Sequence, residues 1–152
     1  MVIVDSRGRV RNWSALKKQP FWRMPVALCS LATPKEHQDY MAGGGVDVIV
    51  AGKHRVDLDR ALGELHERYG VSRAADIGGT LSAALLKEGL IDEISIILTS
   101  CLMGNLSNNL LMDPKIMELT RPLNLRLRHM EEMKGRLVCL RYYVHNEVEG
   151  GV

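Results

Sequence analysis

The sequence predicts an α/β fold, with a mainly parallel sheet covered by helices on both faces and a C-terminal antiparallel hairpin. Between residues 26 and 98, short apolar segments alternate three times with segments of helical pattern. The apolar segments are nearly continuous, as in parallel strands that are buried on both faces. After residue 100, two segments of alternating apolar and polar residues flank Lys134-Gly135, which is typical of a hairpin. Consecutive strand-helix-strand units connect by right-handed crossovers, and the first part of the chain therefore forms the parallel sheet.

Start and stop signals define the individual elements. Strands are predicted at residues 2–4, 26–29, 46–51, 71–77 and 94–98. Thr33, followed by a proline and by a glutamate three residues later, predicts a helix that runs to about Ala42. Asp57 is the predicted cap of a second helix that ends at Gly70, and the third helix begins at Gly78-Gly79. No repeat or linker divides the chain, so residues 1–152 are predicted to form one domain.

Composition excludes several classes of protein. The chain has 152 residues, 46% hydrophobic and 25% charged, which suits a soluble domain with a real core. Twenty basic against eighteen acidic residues leave a net charge of +2, too little to predict a nucleic-acid partner. Apolar runs reach only about eight residues where a membrane helix needs ~20, so no membrane partner is predicted.

The cysteines and histidines predict no metal site. The three cysteines are far apart and fit no metal-ligand spacing, which favours a reduced, cytoplasmic protein. The histidines fall in separate elements, where a surface position or a satisfied polar contact is the more common role. They are His37, His54, His66, His129 and His145.

The most informative local feature is the turn Asp76-Ile77-Gly78-Gly79-Thr80-Leu81, between a predicted strand and a helix. Glycines let a ligand approach the backbone, and free N–H groups at a helix N-terminus favour an anion. Such glycines can equally serve tight packing. Asp76 is predicted either to face the ligand crevice at the carboxyl end of a strand or to cap the helix, and the sequence leaves both open.

A second candidate site is Asp5-Ser6-Arg7-Gly8-Arg9, which also follows a predicted strand. The hydroxyl and guanidinium groups of this segment could hold a phosphate monoester. The alternative is a solvated loop, which is the common state of a charged segment.

With these elements in order, the chain resembles the reductase domain of riboflavin biosynthesis, a family with the dihydrofolate-reductase-like fold. The matching residues are Val2-Ile3-Val4-Asp5-Ser6-Arg7-Gly8-Arg9, Val56-Asp57-Leu58, and the run from Asp76 to Ser95 with its Gly-Gly-Thr-Leu turn and its Asp-Glu before an apolar strand. The resemblance extends over essentially the whole chain. It implies a three-layer α/β/α architecture.

The resemblance also implies an activity and a site. The family uses NADPH to reduce the ribose of a phosphorylated ribosylamino-pyrimidinone, and NADPH is therefore the expected cofactor. By position, Gly78, Gly79, Thr80 and Leu81 would hold the pyrophosphate. Ser6, Arg9 and Ser30 would surround the adenosine ribose and its 2′-phosphate, and Asp76 would face the substrate as the catalytic residue.

The chain departs from the family at three places. Family members carry a further N-terminal segment before the strand that matches residues 2–4, and this segment supplies much of the nicotinamide and substrate site. Ile77 stands where the family has a small residue, and Met103-Gly104-Asn105 stands where a Gly-Gly pair is common. A sheet without its first strands exposes apolar surface, which predicts a homo-oligomer, expected as a dimer.

Two other functions stay open at this stage. The chain could be a non-catalytic nucleotide-binding or assembly protein that keeps the glycine turn, or a reductase for another pterin-like substrate on the same fold. The sequence does not decide between NADPH and NADH, because Ser6 and Arg9 favour a 2′-phosphate only if the turn aims them at it.

Overall fold

The computed structural model describes residues 1–20, 22, 24–101, 113–117 and 123–144. Contacts within the chain group it into two compact units, which we call unit 1 (Met1–Ala74) and unit 2 (Ala75–Val152). The single domain over residues 1–152 stays a prediction. No helix in the described ranges is long and apolar enough to cross a membrane.

Unit 1 contains a parallel three-stranded sheet. Its strands, in spatial order, are β1 (Val2–Val4), β2 (Val26–Cys29) and β3 (Asp47–Val50). Each strand is parallel to its neighbour, so all three carboxyl ends lie at the same edge. The central strand β2 is buried at all four positions, as its uninterrupted apolar sequence predicts.

Three helices accompany this sheet: α1 (Trp13–Lys17), α2 (Lys35–Gly43) and α3 (Leu58–Tyr69). The predicted ends of α3 are confirmed, because the Asp57 carboxylate accepts a hydrogen bond from the Arg60 N–H at 3.0 Å and Gly70 has a left-handed φ of 64°. The prediction that Thr33 caps α2 is wrong. Pro34 occupies the cap position, and the Thr33 hydroxyl bonds elsewhere.

The core of unit 1 lies between the sheet and these helices. Trp13 of α1 and Met41 of α2 cluster with Ala27 and Cys29, which alternate along β2 and therefore share one face. The buried side of α3 consists of Leu58, Ala61 and Leu65, and this helix contacts β3. The apolar sides of the helices and of the sheet thus pack together in the interior of unit 1.

Unit 2 contains an antiparallel three-stranded sheet. Its elements are α4 (Gly79–Lys87), β4 (Glu93–Leu98), α5 (Pro114–Met117), β5 (Leu125–Met133) and β6 (Leu137–Val144). The predicted C-terminal hairpin is confirmed as β5 and β6, with β6 in the centre of the order β4-β6-β5. Gly135 lies in the turn between these strands with a φ of 88°, a backbone conformation that residues with a side chain rarely adopt.

The α/β class is confirmed, and within the described ranges three strands form a parallel sheet and three an antiparallel sheet. Two predictions about strands are wrong in detail. Residues 71–77 form neither strand nor helix, because residues 72–77 are exposed and bury no face against a partner. The strand predicted at 94–98 exists but pairs antiparallel with β6, where its apolar residues meet those of the hairpin.

Candidate functional site

Three loops leave the carboxyl edge of the parallel sheet, the edge at which open α/β sheets bind ligands. We call them loop 1 (residues 5–10), loop 2 (residues 30–34) and loop 3 (residues 51–57). Loops 2 and 3 are joined by backbone hydrogen bonds from Leu31 N to Gly52 O and from Ala32 N to Lys53 O, both 3.0 Å. The three loops therefore form one surface of unit 1, because loop 1 is also bonded to each of the others.

Ser6 is the residue that ties loop 1 to its neighbours. Its carbonyl accepts hydrogen bonds from the Thr33 hydroxyl at 3.0 Å and from the Ser30 hydroxyl at 3.5 Å. Its own Oγ accepts a hydrogen bond from the Val56 N–H at 3.2 Å. Ser30 is fully buried, and it therefore lies behind Ser6 instead of on the surface.

Asp5 anchors the start of loop 1. It is 5% exposed, and its carboxylate accepts hydrogen bonds from the N–H groups of Arg9 at 2.8 Å and Val10 at 3.0 Å. His37 Nε2 lies 3.0 Å from the same carboxylate. Burial alone would raise the pKa of Asp5, but the two backbone N–H donors and His37 together lower the pKa below its ordinary value. Asp5 is thus a fixed anion at neutral pH.

The rim of this surface is basic. Four cationic side chains are exposed there, and none has a carboxylate within 4.0 Å in the described part of the chain; they are Arg7, Arg9, Lys53 and Arg55. Asp5, buried beneath loop 1, and Asp57, at the end of loop 3, are the acidic residues of the three loops, so four cationic side chains stand against two carboxylates there. A surface with unpaired cations at a sheet edge attracts anions, above all phosphate groups.

The second group of predicted residues lies in unit 2, at the start of α4. Asp76 is exposed, and its carboxylate accepts hydrogen bonds from the Gly78 N–H at 3.2 Å and from the Ser82 hydroxyl at 2.6 Å. Gly78, and not Asp76, occupies the helix cap position. Asp76 therefore closes the turn that leads into the helix, and the same carboxylate is open to solvent.

The N–H groups of Gly79, Thr80 and Leu81 belong to the first turn of α4, where the helix itself offers no acceptor. This arrangement suits a diphosphate, because the donors and the helix dipole both favour negative charge. Ile77 points fully into solvent, at 103% exposure. Met103-Gly104-Asn105, the predicted substrate-side loop, lies outside the described residues.

Sequence reasoning missed three residues of the loop surface: Asp5 as its anchor, Thr33 as the tie between loops 1 and 2, and His37. The spacing of His37 and Met41 was the available signal. They are four residues apart on α2 and both buried, so His37 lies on the inner side of that helix. Among the described residues, no three His, Cys, Asp or Glu side chains come together to hold a metal ion.

Comparison with known proteins places this geometry in a family. Residues 1–139 match the RibD C-terminal domain. A pyrimidine reductase-like protein from Corynebacterium diphtheriae has a similar structure, with a TM-score of 0.71 and 19% identity over 94% of this chain and 60% of that one. For RibD of Acinetobacter baumannii the TM-score is 0.64 and the identity 22%, over 94% of this chain and 36% of that one. At such identities the likeness shows the fold, and the chain spans only part of both proteins.

Proposed function

Because the chain belongs to the RibD C-terminal domain family, we propose that it is an NADPH-dependent reductase domain of riboflavin biosynthesis. The proposed substrate is 2,5-diamino-6-ribosylamino-4(3H)-pyrimidinone 5′-phosphate, a small phosphorylated pyrimidine. The family match over residues 1–139 is the observation that carries this proposal. We also propose that the protein is cytoplasmic and that its cysteines are reduced.

Each unit, taken by itself, offers donors of the kind that phosphate groups bind. In unit 2, the first-turn N–H groups of Gly79, Thr80 and Leu81, together with Gly78, supply donors for a pyrophosphate. In unit 1, Ser6 and the exposed Arg9 supply a hydroxyl and a guanidinium for the 2′-phosphate of the adenosine ribose, with buried Ser30 supporting Ser6. NADPH itself would supply the hydride.

Asp76 is the proposed catalytic residue. Its carboxylate is solvent-open yet fixed by Gly78 and Ser82, so it keeps one orientation. A carboxylate held in this way can orient a sugar hydroxyl or exchange a proton with it. The protein's contribution to the reaction would be to bind, to orient and to exclude water.

Titration of the protein with NADPH, followed by cofactor fluorescence, tests the proposal. We expect saturable binding that is at least about tenfold tighter for NADPH than for NADH, since only NADPH carries the 2′-phosphate. Arg9→Ala should remove this preference and leave NADH binding unchanged. Lys134→Ala, a cation in the hairpin turn, is the matched control and should bind like wild type. No binding of either cofactor by wild type would refute the proposal.

We further propose that the protein is a homodimer, because one face of the unit 2 sheet is apolar and exposed. The strand register places ten apolar residues and Glu132 on this apolar sheet face; the apolar ones are Ile94, Ile96, Leu98, Leu125, Leu127, Met130, Val138, Leu140, Tyr142 and Val144. Leu98, Leu127 and Met130 are 51%, 53% and 66% exposed. The opposite face carries charged residues, among them Arg126 and Glu93.

We propose a second copy of the chain as the cover of the apolar sheet face, because one patch can meet the same patch across a two-fold axis. Three strands of this length span about 30 Å by 14 Å, or roughly 400 Å². The largest apolar patch of a monomeric protein is typically ~300–600 Å² and is often functional, and a two-fold contact lets the same patch cover itself.

Light scattering of wild type and of Met130→Glu tests the dimer. Wild type should have twice the monomer mass, and Met130→Glu should shift to the monomer because the contact would bury an unpaired carboxylate. Arg141→Glu, on the opposite face of the same sheet, is the control and should remain dimeric. A monomeric wild type would contradict the proposal.

A further inference from the structure

The contact between α2 and loop 1 is built from a buried histidine and a buried carboxylate. His37 is 2% exposed, and its Nε2 lies 3.0 Å from Asp5 Oδ2. Since the carboxylate is ionised and accepts the N–H groups of Arg9 and Val10, the histidine proton belongs on Nε2, where it donates to Asp5. The imidazole therefore adds a side-chain donor to the two backbone N–H groups that the Asp5 carboxylate accepts.

The imidazole ring also sets the shape of loop 1 from below. A Cβ atom built on Gly8 would lie 2.9 Å from Cδ2 of His37, closer than packing allows. Gly8 has a φ of 64°, in the left-handed region, so glycine is required there for two independent reasons. The His37 ring packs directly against the backbone of Gly8, so the ring limits the conformations that loop 1 can adopt.

The consequence of this contact reaches Arg9 directly. The Arg9 N–H is one of the groups that Asp5 holds, so the position of the Arg9 backbone depends on the orientation of that carboxylate. The orientation depends in turn on His37. The Arg9 side chain is exposed and forms no ion pair among the described residues, so its backbone is the fixed point from which the guanidinium reaches a ligand.

We propose that His37 is a positioning residue which, through Asp5, fixes loop 1 so that Ser6 and Arg9 meet a phosphate monoester, the 2′-phosphate of NADPH. This inference rests on the proposed function and assigns its cofactor specificity to a buried residue that touches no ligand. The polar atom Nδ1 of His37 is buried without a hydrogen-bond partner in the described residues. Among the described residues, Asp5 is therefore the hydrogen-bond partner of the ring.

The test uses two amide variants that differ by one bond. His37→Gln places an amide nitrogen three bonds beyond Cβ, as Nε2 is, and can still donate to Asp5. His37→Asn falls one bond short and cannot. Each variant is titrated with NADPH and with NADH, and exchange of the Arg9 and Val10 amide hydrogens is followed by NMR. Circular dichroism confirms that both variants fold.

His37→Asn should raise the Kd for NADPH about tenfold and change the Kd for NADH less than about twofold. The Arg9 and Val10 amides should exchange at least about tenfold faster in His37→Asn. His37→Gln should stay close to wild type in both measurements. If His37→Asn fails to fold, His37→Gln with wild-type selectivity and a slow Arg9 amide supports the inference, and His37→Gln with lost selectivity overturns it.

Three further results overturn the inference. Equal weakening of NADPH and NADH by His37→Asn means that the residue is only structural. Wild-type Kd values for both NADPH and NADH in His37→Asn refute the positioning role and leave the proposed function intact. Failure of wild type to bind NADPH refutes the proposed function and the inference with it, and the exchange data then still show whether His37 holds loop 1.

Discussion

Gly79→Asp is expected to weaken NADPH binding at least about 100-fold, the largest effect of any single substitution on the cofactor. The new carboxylate would stand in the first turn of α4, beside the N–H groups that are proposed to receive the pyrophosphate. It would compete for those donors and repel the two negative charges of the diphosphate. Fluorescence titration with NADPH measures the loss.

The same substitution should leave folding intact, which separates a binding effect from a structural one. An acidic residue in the first turn of a helix is favourable, so the free energy of unfolding should change by less than about 1 kcal/mol. Gly63→Asp is the matched control, because a Cβ at Gly63 in α3 meets nothing within 4 Å. It adds the same charge and should bind NADPH normally. Wild-type binding by Gly79→Asp would show that α4 does not receive the pyrophosphate.

Asp5→Asn is expected to lower the free energy of unfolding by about 2–4 kcal/mol at neutral pH. The asparagine amide would turn an N–H₂ donor toward the donors of Arg9, Val10 or His37 and leave at least one of them buried without an acceptor. Urea unfolding of the two proteins at about pH 7 measures the difference.

The effect of Asp5→Asn should depend on pH in one direction. Because the pKa of Asp5 is lowered in the folded state, the folded protein binds fewer protons than the unfolded chain as pH falls below about 4. The stabilisation is therefore complete above that value and is lost as pH falls through the lowered pKa. The difference in the free energy of unfolding between wild type and Asp5→Asn should therefore become smaller as the pH is lowered below about 4.

Asp39→Asn is the control for this pH dependence. Asp39 forms an exposed ion pair with Lys35 on α2, with 62% of its side chain accessible, and such pairs contribute less than about 1 kcal/mol. Its removal should change the free energy of unfolding little at any pH. A gap for Asp5→Asn that stays constant from neutral to acidic pH would contradict the role given to the Asp5 carboxylate.

Local sequence determined the elements whose signals are complete within a few residues. The caps of α3 at Asp57 and Gly70 were predictable because a side-chain oxygen and a left-handed glycine act on their own helix. The hairpin was predictable because strand alternation and its turn are both local. The two glycine-bearing candidate segments also follow from the sequence, as does the family.

The contacts between loops were decided only by tertiary structure. Thr33 has the sequence of a helix cap, yet its hydroxyl bonds to Ser6, 27 residues away, because the parallel sheet brings the ends of β1 and β2 together. The segment at residues 71–77 has an apolar start and end, but no strand in the described part of the chain pairs with it, and its local preference for a strand is therefore not realised.

The same division holds for the candidate site. By itself the sequence determined an α/β chain of the RibD C-terminal domain family with serine, arginine and glycine turns suited to phosphate. The pairing of Asp5 with His37, 32 residues apart, was decided by the fold, because a buried carboxylate takes whichever donors the packing of α2 against the sheet delivers. The helical spacing of His37 and Met41 indicates that His37 is buried, but only the three-dimensional packing decides which group a buried polar side chain contacts.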